Sequence, residues 1–162
     1  RDDIFTFSIH AEKNFPVRKA RSSLDVGLPD GTGDGDYLAV LDAHLPRLLD
    51  NFAPDIVLYQ AGVDPHANDK LGRLALSDAG LERRERYVVD AVRSRRVPLA
   101  SALGGGYGED QREVAGRHAR SMIAMASENA RHAAPASNRY PRSPSGNRTT
   151  RTRAAGSSAG SA

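Results

Sequence analysis

Cysteine is missing from this 162-residue chain. That excludes a disulfide framework and any thiolate metal site. Also missing is an apolar run long enough to span a membrane, and no signal-peptide pattern opens the chain. A cytoplasmic protein fits these absences. The third lack is local. Residues 131–162 contain six Arg but no Asp or Glu. Taking those six from the overall +3 leaves residues 1–130 at −3. The basic balance therefore belongs to the tail, and any nucleic-acid contact would be a salt-sensitive, sequence-independent one made there. No nucleic-acid partner is expected for the rest.

What remains is one domain, 1–130, with enough residues for a core, followed by a tail, 131–162. The tail is rich in Ser, Pro, Arg, Gly and Ala. It lacks the large apolar groups that offset ordering entropy, so it is expected to be disordered. The chain starts at Arg1 and runs almost directly into "IFTFSIH", which suggests the middle of a longer protein.

"IFTFSIH" (4–10) reads as a strand. Residues 11–36, dense in Gly, Pro and charge, read as one long loop. Leu38, Leu41, Leu45, Leu48 and Leu49 predict a helix over 36–51, with Pro46 a possible kink. The apolar run 55–60 predicts a strand buried on both faces. Ser77 caps a predicted helix over 78–95. "VPLASAL" (97–103) predicts a second buried strand. The last predicted helix, 109–129, has an apolar stripe of Val114, Ala115, His118, Met122 and Met125. This alternation implies an α/β fold, a parallel sheet with helices on both faces. Sites in such sheets gather outside the carboxyl ends of the strands.

Asp64 and Tyr107 each follow a predicted buried strand and should share that crevice. A carboxylate there can ligate a divalent metal, which activates water and polarises a carbonyl. A phenol can stabilise the developing oxyanion. The run Gly104-Gly105-Gly106 lets backbone approach a ligand. Together they suggest metal-assisted amide hydrolysis. Singly they say little: Asp64 reads as a cap or turn residue, Tyr107 as a packed aromatic, and His66 as a solvated loop histidine. His10 and His118 read as structural.

"YQAGVDPHANDKLGRLALS", with "LGGGY" some thirty residues later, resembles the second half of the histone deacetylase superfamily, nearest its bacterial and class IV-like members. "FTFSIHAEKNFPVRK" and "SLDVGLPDGTGDGDYL" match the same half. The resemblance implies an arginase/deacetylase-like, three-layer parallel-sheet fold, incomplete in this chain. It implies that Asp64 ligates Zn2+ (or another divalent metal such as Fe2+) and that Tyr107 hydrogen-bonds the scissile carbonyl. Phe15 and Leu71 match residues lining the substrate channel, and Gly104, Gly105 and Gly106 match its floor. The family's other two metal ligands and its paired histidines match nothing here. The expectation is a hydrolase of acetyl-lysine or acetylpolyamine-like amides, present as a carboxyl-terminal piece that is inactive alone. The competing expectation is a degenerate, non-catalytic interaction module. Oligomeric state is left open.

Overall fold

Apolar residues alternate with polar or small ones at Phe7-Ile9-Ala11 and Leu24-Val26-Leu28, and each set forms a short strand. The computed structural model describes residues 2–133. Its elements are β1 (Phe7–Ala11), β2 (Leu24–Leu28), α1 (Asp34–Phe52), β3 (Val57–Gly62), α2 (Asp78–Arg93), β4 (Leu99–Gly104) and α3 (Gln111–Arg131). The tail beyond residue 133 lies outside the described residues. β1 pairs in parallel with β2, Phe7 opposite Leu24, and β3 in parallel with β4, Val57 opposite Leu99. Among the described residues no ladder joins β1 to β3.

The expected long loop 11–36 is corrected by β2, which lies inside it. Asp25 and Gly27 occupy its outward positions and mask a period-two pattern whose inward positions are all apolar. α1 continues through Pro46 and ends at Ala53, whose left-handed backbone (φ 48°) turns its N–H to the Leu49 carbonyl. Ser77 caps α2 by accepting from the Gly80 N–H at 3.0 Å.

Two buried clusters fix the direction of the strands. Ala11, Leu28 and Val63, at the carboxyl ends of β1, β2 and β3, meet Tyr37 from the start of α1. Phe7, Val57 and Leu99, at the amino ends, pack with Leu41, Leu45 and Leu49 from the rest of α1. All four strands therefore run the same way, antiparallel to α1, and share one carboxyl rim. The inward residues Val57, Tyr59 and Ala61 meet all three helices. On the opposite face Leu58 is 77 % exposed. β3 is thus buried on one face, not both, and the described helices form one layer over one side of the sheet. Two of the expected three layers are present among the described residues.

Candidate active site

Asp64 lies one residue past Val63, where β3 leaves the sheet. Its carboxylate rests against Gly62 and Gly105, and a β-carbon at Gly105 would overlap it. Gly105 and Gly106 have φ of +60° and +100°, a region open to glycine. Gly106 in turn lies against Val63, Val114 and His118. The glycine run is therefore shaped by the Asp64 carboxylate on one side and by the start of α3 on the other. Burial pushes the Asp64 carboxyl above its ordinary pKa, and the Asp69 charge adds to this. Its own backbone N–H and the Arg84 and His118 charges oppose the rise.

Asp69 went unnoticed in the sequence. Its Oδ1 accepts the N–H groups of Leu71 (2.9 Å) and Gly72 (2.7 Å), and its Oδ2 accepts that of Tyr107 (2.7 Å). The Lys70 N–H also donates to the Tyr107 carbonyl at 2.9 Å. One carboxylate thus joins the loop after β3 to the segment after β4. Tyr107 and Leu71 stand half-exposed on these joined segments, and Phe15, in the loop after β1, is 86 % exposed. Asp64, the Gly104–Gly106 run, the Tyr107 backbone and Leu71 are brought together. Phe15 lies in the loop after β1 with its N–H donated to Asn14 Oδ1 at 2.8 Å, and no hydrogen bond joins it to them.

A second group missed in the sequence lies beneath the rim. Arg84 and Glu85 are 4 % and 0 % exposed. Arg84 donates to the Gly62 carbonyl (2.8 Å) and to Glu85 Oε1, while the Tyr59 hydroxyl donates to Glu85 Oε2. Burial, opposed by the Arg84 charge and reinforced by Glu85, pushes the Tyr59 phenol well up. The pair falls between Leu81 and Val88 on the apolar face of α2, a signal the charged run "ERRER" conceals.

His66 corrects the expectation of a solvated loop residue. It is 7 % exposed. Its Nε2 lies 3.4 Å from Asp78 Oδ1 and its Nδ1 accepts the Asn68 N–H at 3.0 Å. Burial and the nearby Arg117 charge lower its pKa, partly offset by Asp78. It locks the loop to α2. His10 bonds Ser8 Oγ at 2.9 Å, and His118 Nε2 bonds the Gly105 carbonyl at 3.2 Å.

Among the described residues, Asp64 is the side chain placed to ligate a metal at this rim. Among the described residues the one group of three His, Asp or Glu side chains with converging ligand atoms is Asp90, Glu128 and His132, which does not include Asp64. The donor chemistry at Asp64 suits a divalent ion, and the remaining ligands are not supplied by the described residues.

The histone deacetylase domain model matches residues 1–124. This chain belongs to the histone deacetylase superfamily. An uncharacterised protein of the cyanobacterium Picosynechococcus is 48 % identical over 115 residues, 71 % of this chain and 38 % of its own length. Histone deacetylase 2 of Arabidopsis thaliana is 36 % identical over 91 residues, 55 % of this chain and 24 % of its own. A probable deacetylase of Archaeoglobus fulgidus is 34 % identical over 86 residues, 52 % of this chain and 24 % of its own. The chain therefore spans less than two fifths of these relatives. In fold it is similar to a histone deacetylase homologue from Aquifex aeolicus (TM-score 0.60, 20 % identity, 79 % of this chain and 39 % of that one). It is also similar to a homologue solved with SAHA (TM-score 0.58, 24 % identity, 76 % and 35 %). The superfamily is a deacetylase hydrolase family that generally depends on a metal, and its members act on acetylated substrates. Among the described residues no helix is long and apolar enough to cross a membrane.

Proposed function

We propose that this chain is the carboxyl-terminal part of a cytoplasmic, zinc-dependent deacetylase acting on acetyl-lysine or acetylpolyamine-like amides, and that it is inactive alone. The contact between the Asp64 carboxylate and Gly105, two residues before Tyr107, carries the reading. In this reading Asp64 ligates the ion and the Gly104–Gly106 backbone floors the acyl pocket. Phe15 and Leu71 wall the channel that admits the acetylated side chain. Tyr107 donates its hydroxyl proton in a hydrogen bond to the amide carbonyl oxygen, strengthening as negative charge develops there. Bound zinc, or ferrous iron in its place, polarises that carbonyl and lowers the pKa of water. With one ligand of the set, affinity for the ion is poor and the chain alone turns nothing over.

The test is acetate release from an acetyl-lysine peptide and from acetylspermidine, with zinc or ferrous iron. The chain is assayed alone and with the portion of the Picosynechococcus relative that lies outside the matched residues. Expected is no turnover alone and turnover when complemented, falling about 10²–10³-fold in Tyr107→Phe. Turnover by the chain alone refutes inactivity, and an inert assembly with either metal refutes the deacetylase reading. The exposed apolar side chains Leu58 and Ile56 favour, in that second case, an interaction module.

A further inference from the structure

The chain leaves β1 at the carboxyl rim and returns to the amino end before β2 begins, because the two strands are parallel. The return is latched at its lower end. The Thr6 N–H donates to Ser23 Oγ (3.1 Å) and the Ser23 N–H to Thr6 Oγ1 (2.8 Å). Nearer the rim the loop has no such frame. Among the described residues no main-chain-to-main-chain hydrogen bond starts or ends between Phe15 and Arg21. Yet this stretch presents two bare apolar side chains, Phe15 at 86 % and Val17 at 96 % exposure. Holding them in one direction costs conformational entropy, which some other group must offset.

Lys19 is that group. Its Nζ donates to the carbonyl of Glu12 (2.8 Å), to that of Pro16 (3.2 Å) and to that of Asn14. An ammonium has three protons, and here three carbonyls take them. Bonds from a charged donor are roughly twice as strong as neutral ones. Glu12 anchors the arrangement to the sheet, since its N–H donates to the Leu28 carbonyl at the end of β2 (2.8 Å). Asn14 and Pro16 are the two chain neighbours of Phe15. The Phe15 main chain is therefore pinned on both sides, and its own N–H donates to Asn14 Oδ1 at 2.8 Å.

We infer that Lys19 is a positioning residue for the substrate channel: its ammonium closes residues 12–19 into a ring and fixes the direction in which Phe15 is presented. The inference deepens the proposed function and rests on it. Phe15 is then a wall against the aliphatic part of the acetylated side chain. That contact is the same before and during attack on the carbonyl, so it is uniform binding and governs KM, not kcat. Lys19 acts through Phe15. Positive charge alone does not meet the requirement. Three carbonyls gathered round one nitrogen suit a compact ammonium with three rotatable donors, whereas guanidinium donors lie fixed in one plane.

The experiment has two arms. In the first, amide order parameters are measured on the full chain. Values near ~0.85 at Phe15, Val17 and Arg18 in the parent should fall below ~0.6 in Lys19→Met and in Lys19→Arg, with Ile9 and Val26 unchanged. In the second, the chain complemented by the remaining portion of the Picosynechococcus relative hydrolyses an acetyl-lysine peptide. Lys19→Met, Lys19→Arg and Phe15→Ala should each raise KM about tenfold with kcat held within about twofold, and Lys19→Met combined with Phe15→Ala should raise it no further. Unchanged order parameters overturn the inference. So do a fall in kcat at constant KM, additive rises in the double variant, and recovery by Lys19→Arg, which would make charge the whole requirement. An assembly that hydrolyses nothing refutes the deacetylase reading. The order parameters then decide by themselves whether Lys19 holds the loop, so the two fail separately.

Discussion

Asp34 sits in the first turn of α1 but serves α2. It accepts from the Ser77 N–H (2.8 Å), the Ser77 hydroxyl (2.7 Å) and Arg83 (3.1 Å). Burial opposes its charge, yet these bonds and the Arg83 charge outweigh it and hold the carboxyl below its ordinary value of 3.8. A lowered folded pKa means stabilisation that is full above the unfolded value and is lost as pH falls through the folded one. Asp34→Asn should cost about 1–2 kcal/mol at neutral pH and flatten the acid limb of a stability-against-pH curve followed by urea unfolding. An unchanged acid limb would show that the carboxylate contributes nothing in solution. Asp69→Ala should free the N–H groups of Leu71, Gly72 and Tyr107, speeding their exchange and costing about 2 kcal/mol, with β3 unaffected. Neither acid stands out in the sequence. Asp34 lies in "GTGDGD", which reads as turn chemistry, and Asp69 in the polar loop after Asp64, while the partners Ser77 of Asp34 and Tyr107 of Asp69 are 43 and 38 residues away.

At the scale of elements, periodicity located the helices but misjudged which side of α3 is inward. Val114 and Met125 are buried as expected, yet Ala115 and Met122 of the expected stripe are exposed, and His118 is half-buried. Their places are taken by Arg117, Ser121, Ala124 and Glu128. Charged groups can lie inward because partners on α2 await them: Arg117 Nε lies 3.5 Å from Asp78 and Glu128 lies 3.9 Å from Arg86. Met122→Lys and Ile123→Lys should each change stability by no more than about 0.5 kcal/mol in thermal melts of the chain. A larger loss would mean that this face is covered in solution. The Arg84–Glu85 pair behaves oppositely. Glu85→Leu strands a buried guanidinium and should cost about 3–5 kcal/mol, much of it recovered when Arg84→Met and Tyr59→Phe are added. Failure of the triple variant to recover would locate the loss in packing. β2 escaped notice because five residues with a charge and a glycine do not stand out from loop composition until a neighbouring strand gives them a face.

At the scale of the molecule, a parallel sheet covered on one side is incomplete by the ordinary rule, since such sheets bury both faces. Ile56 and Leu58 on the open side are 54 % and 77 % exposed. The chain alone should self-associate, and Ile56→Lys with Leu58→Lys should shift sedimentation toward monomer without loss of helix content. Unchanged association would place the contact elsewhere. The sequence by itself determined the order of elements after residue 36, the parallel α/β class, and the placing of Asp64 and Tyr107 at strand ends, because hydrophobic period, caps and glycine runs are local. Tertiary structure alone decided that Asp69 binds the two rim segments, that His66 is buried, that Arg84 and Glu85 lie in the core, and that no ladder among the described residues joins β1 to β3. Each of these depends on groups far apart in the chain meeting in space, where desolvation and a partner's position set the outcome, and no short window of residues carries that information.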